Sequence, residues 1–409
     1  MHGTSRSSET AILHGGDRRE AEGRASRRSG TAGRVWRLLL LAGVCGAAVA
    51  PAQELGNLTI HGAGGIAYGS TSGPNAYTSG TPEGSWDLRD MSLTVLSTPS
   101  DRLMVGAQVY WGVRNIYRTD QLEVNLTQAF AQYKLSDALK VRAGVLRQPF
   151  GLYSETLEIG TLRPFLNLPR GVYSPGIFQW DGYRGLGLTG VLAGESRWPV
   201  EYDLYGGDLT SSNSGASPLF GPLGGASTGS GTQTLSDLAG ARVRLRTPVE
   251  GLQIGVSSYS GTPKVGLLGL PTKRQLAYLG SLELLREHWS VRGEYGHRDA
   301  GSGAVGEAAY LEAAYRPGAH WEIAARWDWF DATLGPLRPL PSFLSSVLDH
   351  RDLAVGINYR VTDGLVFMAS VHEVEGNFFA APTAGVDFAH GGRLETDTRL
   401  IQCGAQFSF

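Results

Sequence analysis

The chain has 409 residues, 42% hydrophobic and 18% charged, with 57 Gly, 2 Cys and a formal net charge of −2. Its longest apolar run, "LLLLAGVCGAAVA" from Leu38 to Ala50, is shorter than the roughly 20 residues a spanning helix needs, which excludes a helical membrane protein. Removing the eight basic and four acidic residues of the first 52 positions takes the remainder to −6, which argues against a nucleic-acid partner.

The apolar run follows Arg34 and Arg37 and precedes "APAQE", with small residues Ala50 and Ala52 where a cleavage site wants them. Residues 1–52 therefore read as an N-terminal extension and secretory signal peptide, cut after Ala52. The polar stretch before Arg34 is unlike a normal n-region, and Val35 is the expected initiation position. Cys45 leaves with the signal and Cys403 stays alone, so no intramolecular disulfide is expected. Export without disulfides points to a bacterial envelope.

From residue 53 onward the pattern changes to period two. In "RLMVGAQVYWGVR", Leu103, Val105, Ala107, Val109, Trp111 and Val113 share one face, while Arg102, Met104, Gln108, Tyr110 and Arg114 share the other. Alternation of this kind is a β-strand with one apolar and one polar side. Strands are expected at 58–68, 86–97, 102–114, 124–135, 138–147, 182–193, 199–206, 237–247, 251–259, 275–285, 288–296, 306–316, 320–330, 352–361, 364–373 and 396–409, about sixteen in all.

Their connections alternate. Links such as "TPSD", "SD", "PVE", "RE", "PGA" and "TD" are tight, and every other connection is long. Short turns on one side and long loops on the other is the plan of a transmembrane antiparallel β-barrel, with periplasmic turns and extracellular loops. Trp198, Trp289 and Trp321 fall beside the short turns; Trp86, Trp111, Trp180, Trp327 and Trp329 fall toward the long loops. Two aromatic girdles at headgroup level would look like this. The last strand carries Ile401, Cys403, Ala405, Phe407 and Phe409 on one face and ends on Phe409, a terminus resembling the signal read by the outer-membrane barrel insertion machinery. The apolar faces are therefore expected to meet outer-membrane lipid, and closure removes the edges an open sheet would expose.

Residues 148–181 form the longest connection and follow strand five. The segment "LRPFLNLPRGVYSPGIFQW" within it holds Phe165, Leu166, Leu168, Val172 and Phe178, enough apolar surface to pack on an inner wall. The loop "SSNSGASPLFGPLGGASTGSGTQ" is instead rich in Gly and Ser.

Pore selectivity comes from charge near the narrowest point, where low-dielectric walls strengthen the field. Pore-lining, anion-binding candidates are Arg147, Arg163, Arg170 and Arg184 near the loop, and Arg114, Arg142, Arg242, Arg244 and Arg246 on strand faces. Arg102, Arg326 and Arg360 share the polar parity. Guanidinium suits carboxylate or phosphate because its donor fork pairs bidentately and stays charged. The alternative is pairing with wall carboxylates such as Glu123, Asp203, Glu294 or Asp328. The His residues join no Ser or Asp at a triad spacing, and "DHRD" at 349–352 and "DFAH" at 387–390 fall in loops, so neither catalysis, a metal nor a cofactor is expected.

Several segments together resemble the phosphate-selective porin O and P family: "AFAQYKLSDALKVRAGVLRQPFGLYSE" (129–155), "DGYRGLGLTG" (181–190), "LAGARVRLRTP" (238–248), "ARWDWFDA" (325–332) and "LAVGINYRVTDGLVFMASV" (353–371). The resemblance implies a homotrimeric outer-membrane porin whose third extracellular loop folds inward as a constriction. Phosphate-specific members carry lysine clusters, whereas this chain has only Lys134, Lys140, Lys264 and Lys273. Passive diffusion of small hydrophilic or anionic solutes is thus expected ahead of phosphate selectivity, and either ahead of an adhesin or hydrolase.

Overall fold

A computed structural model describes residues 53–55, 57–73, 75–77, 81–112, 123–174, 177–178, 182–212, 232–264, 273–301, 303–335, 346–379, 381–382 and 395–409. The signal-peptide reading, Val35, Arg114, Trp180, the Gly/Ser-rich loop tip and the "DFAH" segment lie outside these residues.

Sixteen strands form one antiparallel sheet: β1 (Leu58–Thr71), β2 (Ser85–Ser100), β3 (Leu103–Gly112), β4 (Glu123–Lys134), β5 (Lys140–Leu146), β6 (Gly182–Leu192), β7 (Val200–Ser212), β8 (Thr232–Arg246), β9 (Leu252–Pro263), β10 (Gln275–Leu285), β11 (Trp289–Asp299), β12 (Ala304–Tyr315), β13 (Trp321–Leu334), β14 (Asp349–Thr362), β15 (Leu365–Glu375) and β16 (Asp397–Ser408). Each pairs with its sequence neighbours, and β16 pairs back onto β1 from Leu400↔Thr71 to Ser408↔Ala63. Backbone bonds between Gly62 and Phe409, at 3.0 and 2.9 Å, complete the seam. The sheet is a closed barrel with no free edge. Two short accessory pieces adjoin it: Gln53–Leu55 on the start of β1, and Asn75–Ala76 paired with Ala381–Pro382.

Every strand of the sequence reading is present, but several run further at the extracellular end, β7 to Ser212 and β14 from Asp349 for example. There the outward positions turn polar, Asp208 and Arg351 for example, so backbone pairing continues where the apolar alternation has faded. The start of β8 was hidden for another reason. A bulge between Leu235 and Leu238, with Asp237 at φ 52°, breaks the period of two.

The apolar parity faces outward. Val109, Trp111, Leu311, Ile323, Val355 and Ile401 are exposed, whereas their polar neighbours Gln108, Glu312, Arg326, Asp352 and Gln402 are buried inside. Trp86, Trp111, Trp198, Trp289 and Trp321 stand on the outside near strand ends, as headgroup-level rings should, and Trp327 stands on the outside in the middle of β13. Val355 pairs with Ala325, midway between Trp321 and Trp329 along the same outer face. Val355→Arg therefore puts a charge at mid-membrane, and its unfolding free energy in urea titrations with lipid vesicles is expected to fall by ~2–4 kcal/mol. No change in the midpoint would show that this face does not meet lipid.

Candidate functional site

The third loop folds inside the barrel. Phe150, Phe165, Leu166, Val172 and Phe178 are almost wholly buried, with Leu168 packed beside them, and Tyr153 and Tyr173 join a cluster with Tyr183, Tyr205, Tyr259, Tyr310 and Phe330 of the wall. The loop includes a 3-10 turn (Gly160–Leu162) and one short α-helical turn, α1 (Arg170–Tyr173). It contains too few regular elements to satisfy its own backbone, and that backbone is out of water, so wall side chains must supply the partners.

They do so on the β8 to β16 side. Glu294 accepts from the Leu152 amide at 2.9 Å, from Ser281 at 2.6 Å and from Tyr310 at 2.9 Å, and also takes the Tyr173 hydroxyl. Glu312 accepts from Tyr153 at 2.5 Å. Asp328 accepts the Arg170 and Gly171 amides that open α1, at 2.6 and 3.2 Å. Asn358 and Arg326 donate to the carbonyls of Pro164 and Asn167 at 2.9 and 2.7 Å. Thr161 pairs with Ser408 at 2.9 Å. Burial, with Glu312 adding to it, pushes the Tyr153 phenol up, so it serves as a neutral donor.

Arg242 is the largest of these fasteners. It is 1% exposed and bonds Asp203 of β7 at 2.8 and 3.0 Å, Ser154 at 2.9 Å and Glu155 at 2.5 Å. Arg244 reaches Glu201 at 2.7 Å and Glu155 at 3.8 Å, and Arg246 also pairs with Glu201. The run Arg242, Arg244, Arg246 does share one face, but it interleaves with carboxylates instead of standing free. Burial raises the Glu155 carboxyl, yet Arg242 and Arg244 outweigh it and hold the group below its ordinary range. A depressed folded pKa gives stability that is present above the unfolded value of about 4.3 and is lost as pH falls through the folded one. Protease cleavage of the loop is therefore expected to be constant from pH 7 to about 5 and to rise below about pH 4; a rise already at pH 6 would assign the fastening elsewhere.

The other candidates scatter. Arg147 donates to Gln108 at 2.8 Å and pairs with Glu158 at 2.9 Å. Arg163 donates to the Leu157 carbonyl at 2.9 Å, faces Asp90 and Tyr110 across space, and is lowered by burial. Arg170 lies over the Tyr77 ring, 4.3 Å from its centroid. Arg142 donates to Gln132 at 2.7 Å. Arg102 is exposed beside a short turn, and Arg360 donates only to carbonyls, of Thr161 and Asp363 at 3.4 Å each. Arg184 corrects the expectation: it has the outward parity of Leu186 and Leu188 and is exposed, so it does not line the lumen. Its place next to the loop suggested otherwise, although the parity was visible in "GYRGLGL".

Sequence reasoning missed the fastening carboxylates Glu155, Glu201, Glu312 and Asp352 and the loop tyrosines. It also missed one constellation. His372 of β15 accepts or donates to Ser370 at 3.0 Å through Nε2 and to Asp352 of β14 at 2.9 Å through Nδ1. The Phe165 ring meets that imidazole edge-on, with centroids 6.0 Å apart, and Ser370 is 7% exposed. Among the described residues, no group of three or more His, Cys, Asp or Glu is disposed to hold a metal ion.

No family model matches the chain, and no curated protein matches it. Solved structures do. The anion-selective porin from Comamonas acidovorans superposes with a TM-score of 0.51 at 12% identity, covering 86% of this chain and 99% of its own. The outer-membrane channel DcaP of Acinetobacter baumannii gives 0.53 at 6% identity, with 87% and 99% covered. The trimer form of OmpT, an outer-membrane protein of Vibrio cholerae, gives 0.50 at 10%, with 86% and 99% covered.

The chain has the fold of an outer-membrane β-barrel. At these identities the likeness is one of fold, and it extends over nearly the whole of each matched chain. The barrel's function rests on what its own lumen does.

Proposed function

We propose that this barrel is a porin of the bacterial outer membrane that passes small hydrophilic solutes by passive diffusion, with the third loop as its constriction. The observation that carries this is a loop held inside the barrel chiefly from the β8 to β16 side, while the β2 to β5 wall presents a polar cluster around Gln108 that also takes Arg147. On that wall Gln108 is a hub: it donates to Thr94 at 2.9 Å and accepts from Gln128 at 2.8 Å and Thr127 at 3.0 Å. An amide-rich wall replaces the hydration shell of a neutral or weakly charged solute without trapping it.

The reading includes a weak anion preference. Arg142, Arg242, Arg244 and Arg246 bring four positive charges, and Asp203, Glu155 and Glu201 bring three negative ones. One positive charge is left, and it sits at Arg142, which makes no ion pair among the described residues. Phosphate selectivity would call for a cluster of uncompensated cations, and the Arg242 to Arg246 run does not provide one. The trimer form known for the Vibrio barrel supports a homotrimer here, and Phe409 at the seam supports entry through the barrel insertion machinery.

A second reading, acyl hydrolysis at Ser370, has the Ser370–His372–Asp352 contacts in its favour. Ser370 and His372 are both buried in the wall, at 7% and 1% exposure, so these contacts are read as wall hydrogen bonding. Swelling of protein-loaded liposomes in arabinose, glucose and raffinose tests the porin: rates should fall steeply with size. Equal swelling of loaded and empty liposomes would overturn it.

A further inference from the structure

Resting on the porin reading, we infer that the preferred solute is a small amphiphilic monoanion, one carboxylate carried on an apolar or aromatic body. The argument is the order of side chains on the inner wall. Cross-strand register sets one row as Met104, Gln132, Arg142 and Gly187. The next row is Leu96, Gly106, Phe130, Gly144 and Gly185. Leu96, Met104 and Phe130 stand on the inner parity, and Phe130 also packs against the cluster of loop and wall rings.

Arg142 holds the charged end. Only its Nε is engaged, by Gln132 at 2.7 Å, and its two terminal nitrogens have no partner among the described residues. Gly187 beside it has no side chain, and the Tyr183 hydroxyl lies over that position. Terminal nitrogens left free in this way take a carboxylate bidentately.

Phe130 holds the apolar end. It is the diagonal neighbour of Arg142 across β4 and β5, a separation of about 7–8 Å, which is the scale of a carboxylate plus a ring. The ring lies over Gly106 beside Leu96: a Cβ built at Gly106 would stand 2.9 Å from the Phe130 ring and 2.7 Å from Leu96. Arg142, the one guanidinium of the Arg142, Arg242, Arg244 and Arg246 group without a carboxylate partner among the described residues, selects a monoanion over a phosphate dianion, and the apolar row selects an amphiphile over acetate or chloride.

The test is the chloride current of the purified protein in a planar bilayer, with benzoate, acetate or benzyl alcohol added to one side. Benzoate should reduce the current at about one tenth the concentration that acetate needs, a difference of about 1.4 kcal/mol, and benzyl alcohol should not reduce it. Arg142→Gln should abolish the effect of benzoate. Phe130→Ser, confirmed as folded by its heat-resistant gel mobility, should bring benzoate and acetate within about twofold. A conducting wild-type channel on which benzoate and acetate act alike overturns this inference and leaves the porin standing. Absence of any conductance overturns the porin reading itself.

Discussion

Arg242→Ala should raise single-channel conductance severalfold and make the third loop a protease target, while the barrel keeps its heat-resistant mobility on gels. Arg242 joins the wall at Asp203 to the loop at Ser154 and Glu155. Removing it leaves Asp203, 8% exposed, without its cation in a place where water cannot fully solvate it. Breaking a buried pair from one side costs about 3–5 kcal/mol, because the stranded charge is the expensive part. The sixteen-strand ladder does not depend on that pair, so the loss falls on the loop's attachment. Conductance should therefore increase without general unfolding. Wild-type conductance with an intact, protease-resistant loop would show that Glu294, Glu312 and Asp328 hold the loop alone.

Arg142→Glu should reverse the sign of the zero-current potential under a KCl gradient. The local balance of four guanidinium groups against three carboxylates becomes three against four, and the surplus moves from positive to negative. Field lines in a lumen with low-dielectric walls are focused along the pore, so one charge at a narrow point outweighs many at the rim. The control is Arg246→Glu, at a position 62% exposed near the short-turn end, where salt screens the change and only a small shift is expected. A reversal at Arg246 and none at Arg142 would place the filter elsewhere.

The strands, their parity and the alternation of turns and loops were legible because lipid imposes an outward requirement at every second residue. The pattern weakened where lipid ceased to act, above the membrane in β7 and β14 and at the Asp237 bulge. The long loop's apolar content was equally readable, since Phe165, Leu166, Val172 and Phe178 had to be covered by something. What could not be read was which lumen arginines are free. Arg242 faces Asp203 only because Gly240 pairs with Tyr205 in the register of β7 and β8, and a shift of one residue would separate them. The Ser370, His372 and Asp352 contact is similarly a matter of register between β14 and β15, with no spacing along the chain to betray it.

The most direct test of a loop-narrowed solute channel is the wild-type protein in a planar bilayer under a tenfold KCl gradient. The account predicts discrete, ohmic conductance steps and a zero-current potential modestly on the chloride side. A membrane that stays silent with folded protein present, or a potential firmly on the potassium side, would contradict it.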